Sequence, residues 1–213
     1  MQAFRLCHED HAPFDGSGAA QYGGRWNPAG LPVVYAATSR ALTVLERLVH
    51  NPVWMPRNDV LWMLELPDEF VHVPAALPDL SSESATQEFG AEWIRRRGDV
   101  AMLIPSLVVD GEANLLFNPG HPAMRGLHPE AVARPFRYDG RLRPPSILEA
   151  DTDERLRIRG TGIEAWALLS AYDAVLPFNQ LRERFPSLSE AKIHEALGLL
   201  LRPAVHRQVL KAH

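Results

Sequence analysis

The sequence predicts an α+β fold, with a mixed or antiparallel sheet at its core, flanking helices and a small helical appendage. Three observations predict it. Short β-rich runs bounded by turn residues recur through the first two-thirds of the chain, helical periods interrupt them without the regular βαβ order of a doubly wound sheet, and beyond Arg143 helices replace the strand-like runs. Strand pairing is therefore expected to be mostly non-local.

Taken in order, Ala3 to Leu6 reads as a short strand. It leads into the Gly/Ala/Ser-rich stretch DGSGAAQYGGRWNPAG, expected to be an irregular loop of the kind that serves a ligand. Leu31 to Ala37 is rich in β-formers, and Thr38-Ser39 supplies an N-cap for a helix in SRALTVLERLVHNP that Pro52 must stop. Val60 to Leu66 and Phe70 to Val73 read as strands, and Thr86 to Arg97 as a helix with Phe89, Trp93 and Ile94 on one side. Val100 to Val109 reads as a strand interrupted at Pro105-Ser106, and Asn114 to Phe117 and Pro135 to Tyr138 complete the set. These elements define a first domain over residues 1–143. Pro144-Pro145 and the charged run ILEADTDERLRIR predict a linker over 144–160. The stretches GIEAWALLSAYDAV, FNQLRERF and LSEAKIHEALGLLL predict helices in an appendage over 161–213, with Ser189 as an N-cap. Their order permits a winged-helix-like module. Acidic and basic side chains balance there, so an intramolecular clamp or a homodimer surface is the better expectation than DNA binding.

Composition narrows the function classes. With 46% hydrophobic and 23% charged residues over 213 positions, the chain is expected to fold around a real core. A net charge of -4 and a pI near 6.1 leave no electrostatic footprint for tracking a phosphate backbone, so nucleic acid is not the expected substrate. Cys7 is the single cysteine, which excludes an internal disulfide, and no Cys/His set suggests a structural metal. The first residues lack the apolar core of a signal peptide, and no run approaches the roughly 20 apolar residues of a membrane helix. The expected compartment is the cytoplasm.

Several stretches stand out as candidates for chemistry. In Tyr22-Gly23-Gly24-Arg25-Trp26-Asn27, small residues let the backbone approach a ligand, and Arg25 brings a five-donor fork suited to an anion. Tyr22 and Trp26 are expected to flank the guanidinium; the plain alternative is a salt-bridged surface arginine. At 100° per residue, Leu42, Leu45, Leu48 and Val49 form the buried stripe of their helix and Arg47 points away. Glu46 then falls at the stripe's edge, beside Thr43 and His50, partly desolvated; the alternative is a surface pair with Arg47 or Arg40. Pro105-Ser106 breaks an apolar run, either to aim a hydroxyl into a cleft or to form a bulge around a core serine. The turn-rich Asn118-Pro119-Gly120-His121-Pro122, with Asp139 and Arg141 beyond it, offers polar groups for the rim of a site, although His121 is equally well read as a turn residue.

In order and surroundings these stretches resemble the RES domain, a family named for its arginine, glutamate and serine. The resemblance runs through GGRWN, VVYAATSRALTVLERLVH, the IPS triplet, NLLFNPGHP and FRYDGRL, and covers about the first two-thirds of the chain. It implies an ADP-ribosyltransferase-like fold, NAD+ as substrate with no further cofactor, and the toxin half of a toxin-antitoxin pair whose Xre-type antitoxin covers the site. By motif position the family's arginine falls on Arg25, its tyrosine on Tyr35, its glutamate on Glu46 and its serine on Ser106. Gly24, Trp26 and Asn118 are the further residues expected to line the ligand.

The resemblance further implies roles. A carboxylate at Glu46 stabilises the ribosyl oxocarbenium ion that forms as nicotinamide leaves. Arg25 holds pyrophosphate, Tyr35 lies against the nicotinamide ring, and Ser106 bonds the ribose or fixes Glu46, with His50 as a supporting neighbour. The acceptor stays open between water, phosphate and a protein side chain, with NAD+ depletion favoured. The rival expectation is a non-catalytic module that binds an anion or a partner, in which Glu46 is dispensable.

Overall fold

The computed structural model describes residues 1–51, 55–127, 131–142, 146–151, 155–173 and 177–211. They form two compact units, residues 1–47 with 57–137 and residues 48–56 with 138–213. No described helix is long and apolar enough to cross a membrane.

The first unit is built on β1 (Gln2–His8), α1 (Ser17–Tyr22), β2 (Val34–Ala37), α2 (Arg40–Val49), β3 (Asp59–Glu65), β4 (Val71–His72), α3 (Glu83–Arg96), β5 (Ala101–Pro105), β6 (Ala113–Phe117), α4 (Met124–Leu127) and β7 (Val132–Pro135). Its sheet runs β4-β5-β6-β2-β1-β3-β7, antiparallel throughout except between β4 and β5. This is the α+β architecture expected, with strand neighbours distant in sequence.

Residues paired across antiparallel strands point to the same side of the sheet. Tyr35 pairs with Leu116, which pairs with Met102; Ala37 pairs with Asn114, which pairs with Ile104, and with Phe4. These residues therefore share one face. Met102, Ile104 and Leu116 are packed there under Trp26, Val33, Trp93 and Ile94, so α3 and the loop before β2 cover that side. The opposite face carries Val34, Ala36, Leu64, Ala101, Leu115 and Phe117, packed with Phe14, Met124 and Leu127.

In the second unit β8 (Leu148–Ala150) and β9 (Leu156–Ile158) pair antiparallel, and α5 (Ala165–Asp173), α6 (Phe178–Arg184), α7 (Glu190–Leu200) and α8 (Pro203–Lys211) follow. Leu148, Ile158, Leu168, Leu169, Ile193 and Leu200 form a solvent-free core. Ser189 caps α7 as expected, its hydroxyl accepting the Lys192 N–H at 3.3 Å.

Several local expectations are corrected. The stretch read as a linker contains β8 and β9: Leu148 and Ala150, and Leu156 and Ile158, alternate with Glu149 and Arg157, a period-2 signal hidden by the charge around it. The Gly-rich stretch is not wholly irregular, since α1 forms within it, its first turn supported by the Asp15 carboxylate accepting from Ser17 N and Oγ at 2.9 Å each. The strand expected to reach Val109 ends at Pro105, and Leu107 is 53% exposed in the turn that follows. The last strand of the sheet ends at Pro135 instead of starting there, because an edge strand tolerates proline and Phe136 N already turns to the Asp59 carbonyl. On α2, Leu42 and Leu48 are buried, but Leu45 and Val49 are 39% and 52% exposed. Arg47 points inward, to Asp59. The helix stop expected at Pro52, the boundary at Arg143 to Pro145 and part of the charged run after Asp151 lie outside the described residues.

Candidate functional site

Three contacts fix the rotation of α2. Thr43 Oγ1 donates to the Phe4 carbonyl at 3.2 Å, the Arg40 guanidinium lies 5.4 Å from the Phe4 ring centroid, and Arg47 grips Asp59 through Nε and Nη2 at 2.8 and 2.9 Å. The Asp59 side chain is fully buried and meets a counter-charge in Arg47. With the helix so held, Glu46 faces the side of the sheet that carries Tyr35 and Asn114.

There the Glu46 carboxylate is tied at one oxygen. Its Oε1 accepts from Ser106 Oγ at 3.0 Å and from Asn114 Nδ2 at 2.5 Å. The Ser106 hydroxyl in turn accepts the N–H groups of Val108 and Val109 at 3.0 and 3.1 Å, and the Ser106 N–H donates to the Glu112 carbonyl. Its proton is thus committed to Glu46, which suits a positioning group and not a nucleophile. Asn114 Oδ1 is buried with no hydrogen-bond partner among the described residues. An orphaned buried acceptor costs about 1–3 kcal/mol.

The second wall is the loop carrying Arg25. Tyr35 organises it: its hydroxyl accepts the Trp26 N–H at 2.9 Å and donates to Asn27 Oδ1 at 2.7 Å. Asn27 is fully buried and its Nδ2 reaches the carbonyls of Ala19 and Leu31 at 2.9 Å and of Pro28 at 3.2 Å. A Cβ on Gly24 would lie 2.6 Å from the Tyr35 hydroxyl and 3.0 Å from Asn27 Oδ1, so only glycine permits this contact. From α3, Gln87 Nε2 donates to the Gly24 carbonyl at 2.9 Å. Arg25 Nη2 donates to the Leu80 carbonyl, while its Nε is buried with no partner among the described residues.

Electrostatics follow these contacts. Burial pushes the Tyr35 phenol well above its ordinary value, opposed by the Trp26 N–H and aided by the Glu83 carboxylate, so the hydroxyl keeps the proton it gives to Asn27. The exposed Asp79 carboxyl is held low by the hydroxyl and N–H of Ser81, with the Arg25 charge adding to them.

The structure joins Glu46 and Ser106 directly. It joins Arg25, Gly24, Trp26 and Tyr35 through one loop, and both walls stand on the same face of the sheet. Asn118 does not join them. It sits past the far end of β6, 1% exposed, with Nδ2 on the Ile94 carbonyl at 2.8 Å and Oδ1 accepting the Gly120 N–H at 3.0 Å. It is a satisfied core residue that links α3 to the following turn. Trp26 puts its ring into the core, 2% exposed and edge-on to Phe89, instead of beside the guanidinium. His121 is the turn residue of the plainer reading, Nδ1 accepting from Ala123 N at 3.2 Å. Asp139 and Arg141 pair with each other at 2.7 Å in the second unit, and His50 is exposed there.

Sequence reasoning missed Asn114 and Gln87. A signal existed for Asn114, a polar residue in period-2 register with buried Leu116 on an otherwise apolar strand. Gln87 gave none beyond its place four residues after Glu83 on an exposed helix edge.

Set against known proteins, residues 2–139 match the model of the RES domain, and residues 155–198 match a family described as a protein of unknown function (DUF433). The chain is 41% identical over 137 residues to the Prs ADP-ribosylating toxin of Sphingobium sp. strain YBL2, an alignment spanning 60% of this chain and 84% of that protein. It is 36% identical over 138 residues to Toxin Res of Pseudomonas putida, spanning 62% and 94% of the two chains. Toxin Res of Yersinia enterocolitica is 31% identical over 135 residues, with 60% and 89% spanned. A distant likeness, with TM-score 0.43 and 19% identity over 62% of this chain and 80% of the other, is to the crystal structure of the M. tuberculosis MbcT-MbcA toxin-antitoxin complex.

Proposed function

The chain belongs to the RES-domain family, and from that premise we propose that its first unit is the catalytic part of a toxin that cleaves the nicotinamide-ribose bond of NAD+. The observation that carries the reading is the Glu46 carboxylate, anchored by Ser106 and Asn114 on the sheet face that Tyr35 and the Arg25 loop share. Nicotinamide leaves as a neutral ring from a cationic linkage, so the chemistry asks for a preorganised negative charge where the sugar becomes cationic. Glu46 supplies it. Oε1 is held by two donors, which leaves Oε2 to meet the ribose. Arg25 meets the pyrophosphate through charge-assisted hydrogen bonds. With its hydroxyl committed to the loop, Tyr35 offers its ring to the nicotinamide.

Water as acceptor makes the protein a glycohydrolase and phosphate makes it a phosphorylase; either depletes NAD+. One relative carries the name of a Prs ADP-ribosylating toxin, which favours transfer to a protein side chain as the second reading. A toxin of this kind works in the cytoplasm and needs a companion antitoxin, of the Xre type, that covers the site. Incubating the protein with NAD+, with and without phosphate, and weighing the products tests both readings. Free nicotinamide from the wild type and not from Glu46→Gln supports the enzyme. NAD+ left intact with water, phosphate and candidate protein acceptors overturns it in favour of a binding module.

A further inference from the structure

Asn114 does two things with one carboxamide. Its Nδ2 can only donate and does so to Glu46 Oε1 at 2.5 Å, and this fixes the amide's orientation, since a reversed amide would set its oxygen against the carboxylate. The oxygen Oδ1 is thereby left buried and unpartnered among the described residues. Buried acceptors without donors are rare, and one beside a candidate catalytic carboxylate calls for a partner that arrives with the ligand. Glu46 Oε2, for which no donor is seen among the described residues, is the neighbouring acceptor on the same pair of side chains.

We infer that Asn114 is a specificity residue for the substrate, accepting a hydroxyl of the ribose whose bond is cleaved, next to the hydroxyl that meets Glu46. This rests on the NAD+ reading and deepens it. Two adjacent acceptors require two adjacent donors. An ionised carboxylate or the pyrophosphate diester of a dinucleotide has none to give, whereas the cis-diol of a ribosyl group has two. One residue then ties the orientation of the carboxylate to recognition of the sugar, so a ligand without the hydroxyl leaves Oδ1 unpaired.

The experiment compares NAD+ with its analogues lacking the 2′- or the 3′-hydroxyl on the nicotinamide ribose, on the wild type, Asn114→Leu and Asn114→Ser. Each variant is first checked by thermal melting, and nicotinamide release is followed. For the wild type, at least one missing hydroxyl is expected to lower kcat/KM about 10-fold or more. For the Asn114 variants the penalty for that same hydroxyl is expected to shrink to about 2-fold, because the contact is already gone. A role confined to steadying Glu46 would lower all substrates alike and leave the penalty unchanged. Equal turnover of NAD+ and both analogues by the wild type overturns the inference without any variant, as does an undiminished penalty in a folded variant. A wild type that leaves NAD+ itself intact removes the parent reading and this inference with it, a result distinguishable from turnover without discrimination.

Discussion

The wall that carries Glu46 and the wall that carries Arg25 are held by different kinds of contact. Glu46 stands on a regular helix whose rotation is set by Thr43, Arg40 and the pairing of Arg47 with buried Asp59, and among the described residues two side chains donate hydrogen bonds to its carboxylate. Arg25 stands on an irregular loop pinned at many points, by Tyr35, Asn27, Gln87 and Leu80, most of which touch backbone and not the guanidinium. The difference teaches where each wall is vulnerable. Chemistry is concentrated in few atoms on the first, while on the second shape is spread over a network, so substitutions there should act through folding and ligand affinity.

The largest expected effect breaks the first wall at its charge. Glu46→Gln keeps the shape and both donors' reach but loses the field that favours a sugar cation, and kcat should fall on the order of 10² to 10³-fold with the melting temperature nearly unchanged. Next comes the pin of the second wall. Tyr35→Phe leaves the Trp26 N–H and Asn27 Oδ1 unpaired and should cost about 2 kcal/mol in denaturant unfolding, with KM for NAD+ raised more than kcat is lowered.

That variant also carries a pH signature. Below the ordinary phenol pKa of about 10 both states of the chain hold the proton. Above it the unfolded chain ionises first, while the folded phenol, pushed up by burial, resists. Wild-type stability should therefore fall as pH rises past that value, and the difference from Tyr35→Phe should narrow. A constant difference up to the alkaline limit would place the tyrosine outside the network.

Ser106→Ala removes one of two donors to Glu46, and a roughly 10-fold fall in kcat is expected, smaller than for the glutamate because Asn114 still holds the carboxylate. A larger loss than that of Glu46→Gln would reverse the roles assigned here. The smallest effect lies outside both walls: Ser189→Ala unties the cap of α7 and should cost about 1 kcal/mol in the stability of the second unit, read by hydrogen exchange in α7, without changing NAD+ turnover.

Much of this architecture was legible because local physics already chose it. Ser39 before a helical period, Ser189 as a cap, and the β-forming residues that run from Leu31 into β2 each express a preference that tertiary packing only confirmed. Other features resisted reading because local preference and burial disagree. Leu45 and Val49 are apolar yet exposed, whereas Arg47 is charged yet turned inward, because Asp59, twelve residues on and in another element, supplies its counter-charge. In the second unit, alternating charge concealed a hairpin whose apolar residues are buried by helices further along the chain.

From its order of residues alone, this chain determined an α+β fold, a glycine-bearing arginine loop, a glutamate at the margin of a helix, and membership of a family by motifs that keep their sequence. Only the tertiary structure decided which groups meet. Asn114 against Glu46 and the hydroxyl of Tyr35 against the Arg25 loop are contacts between elements separated in sequence, set by strand register and helix rotation. No local preference encodes such pairs, because the free energy that selects them belongs to the packed sheet as a whole.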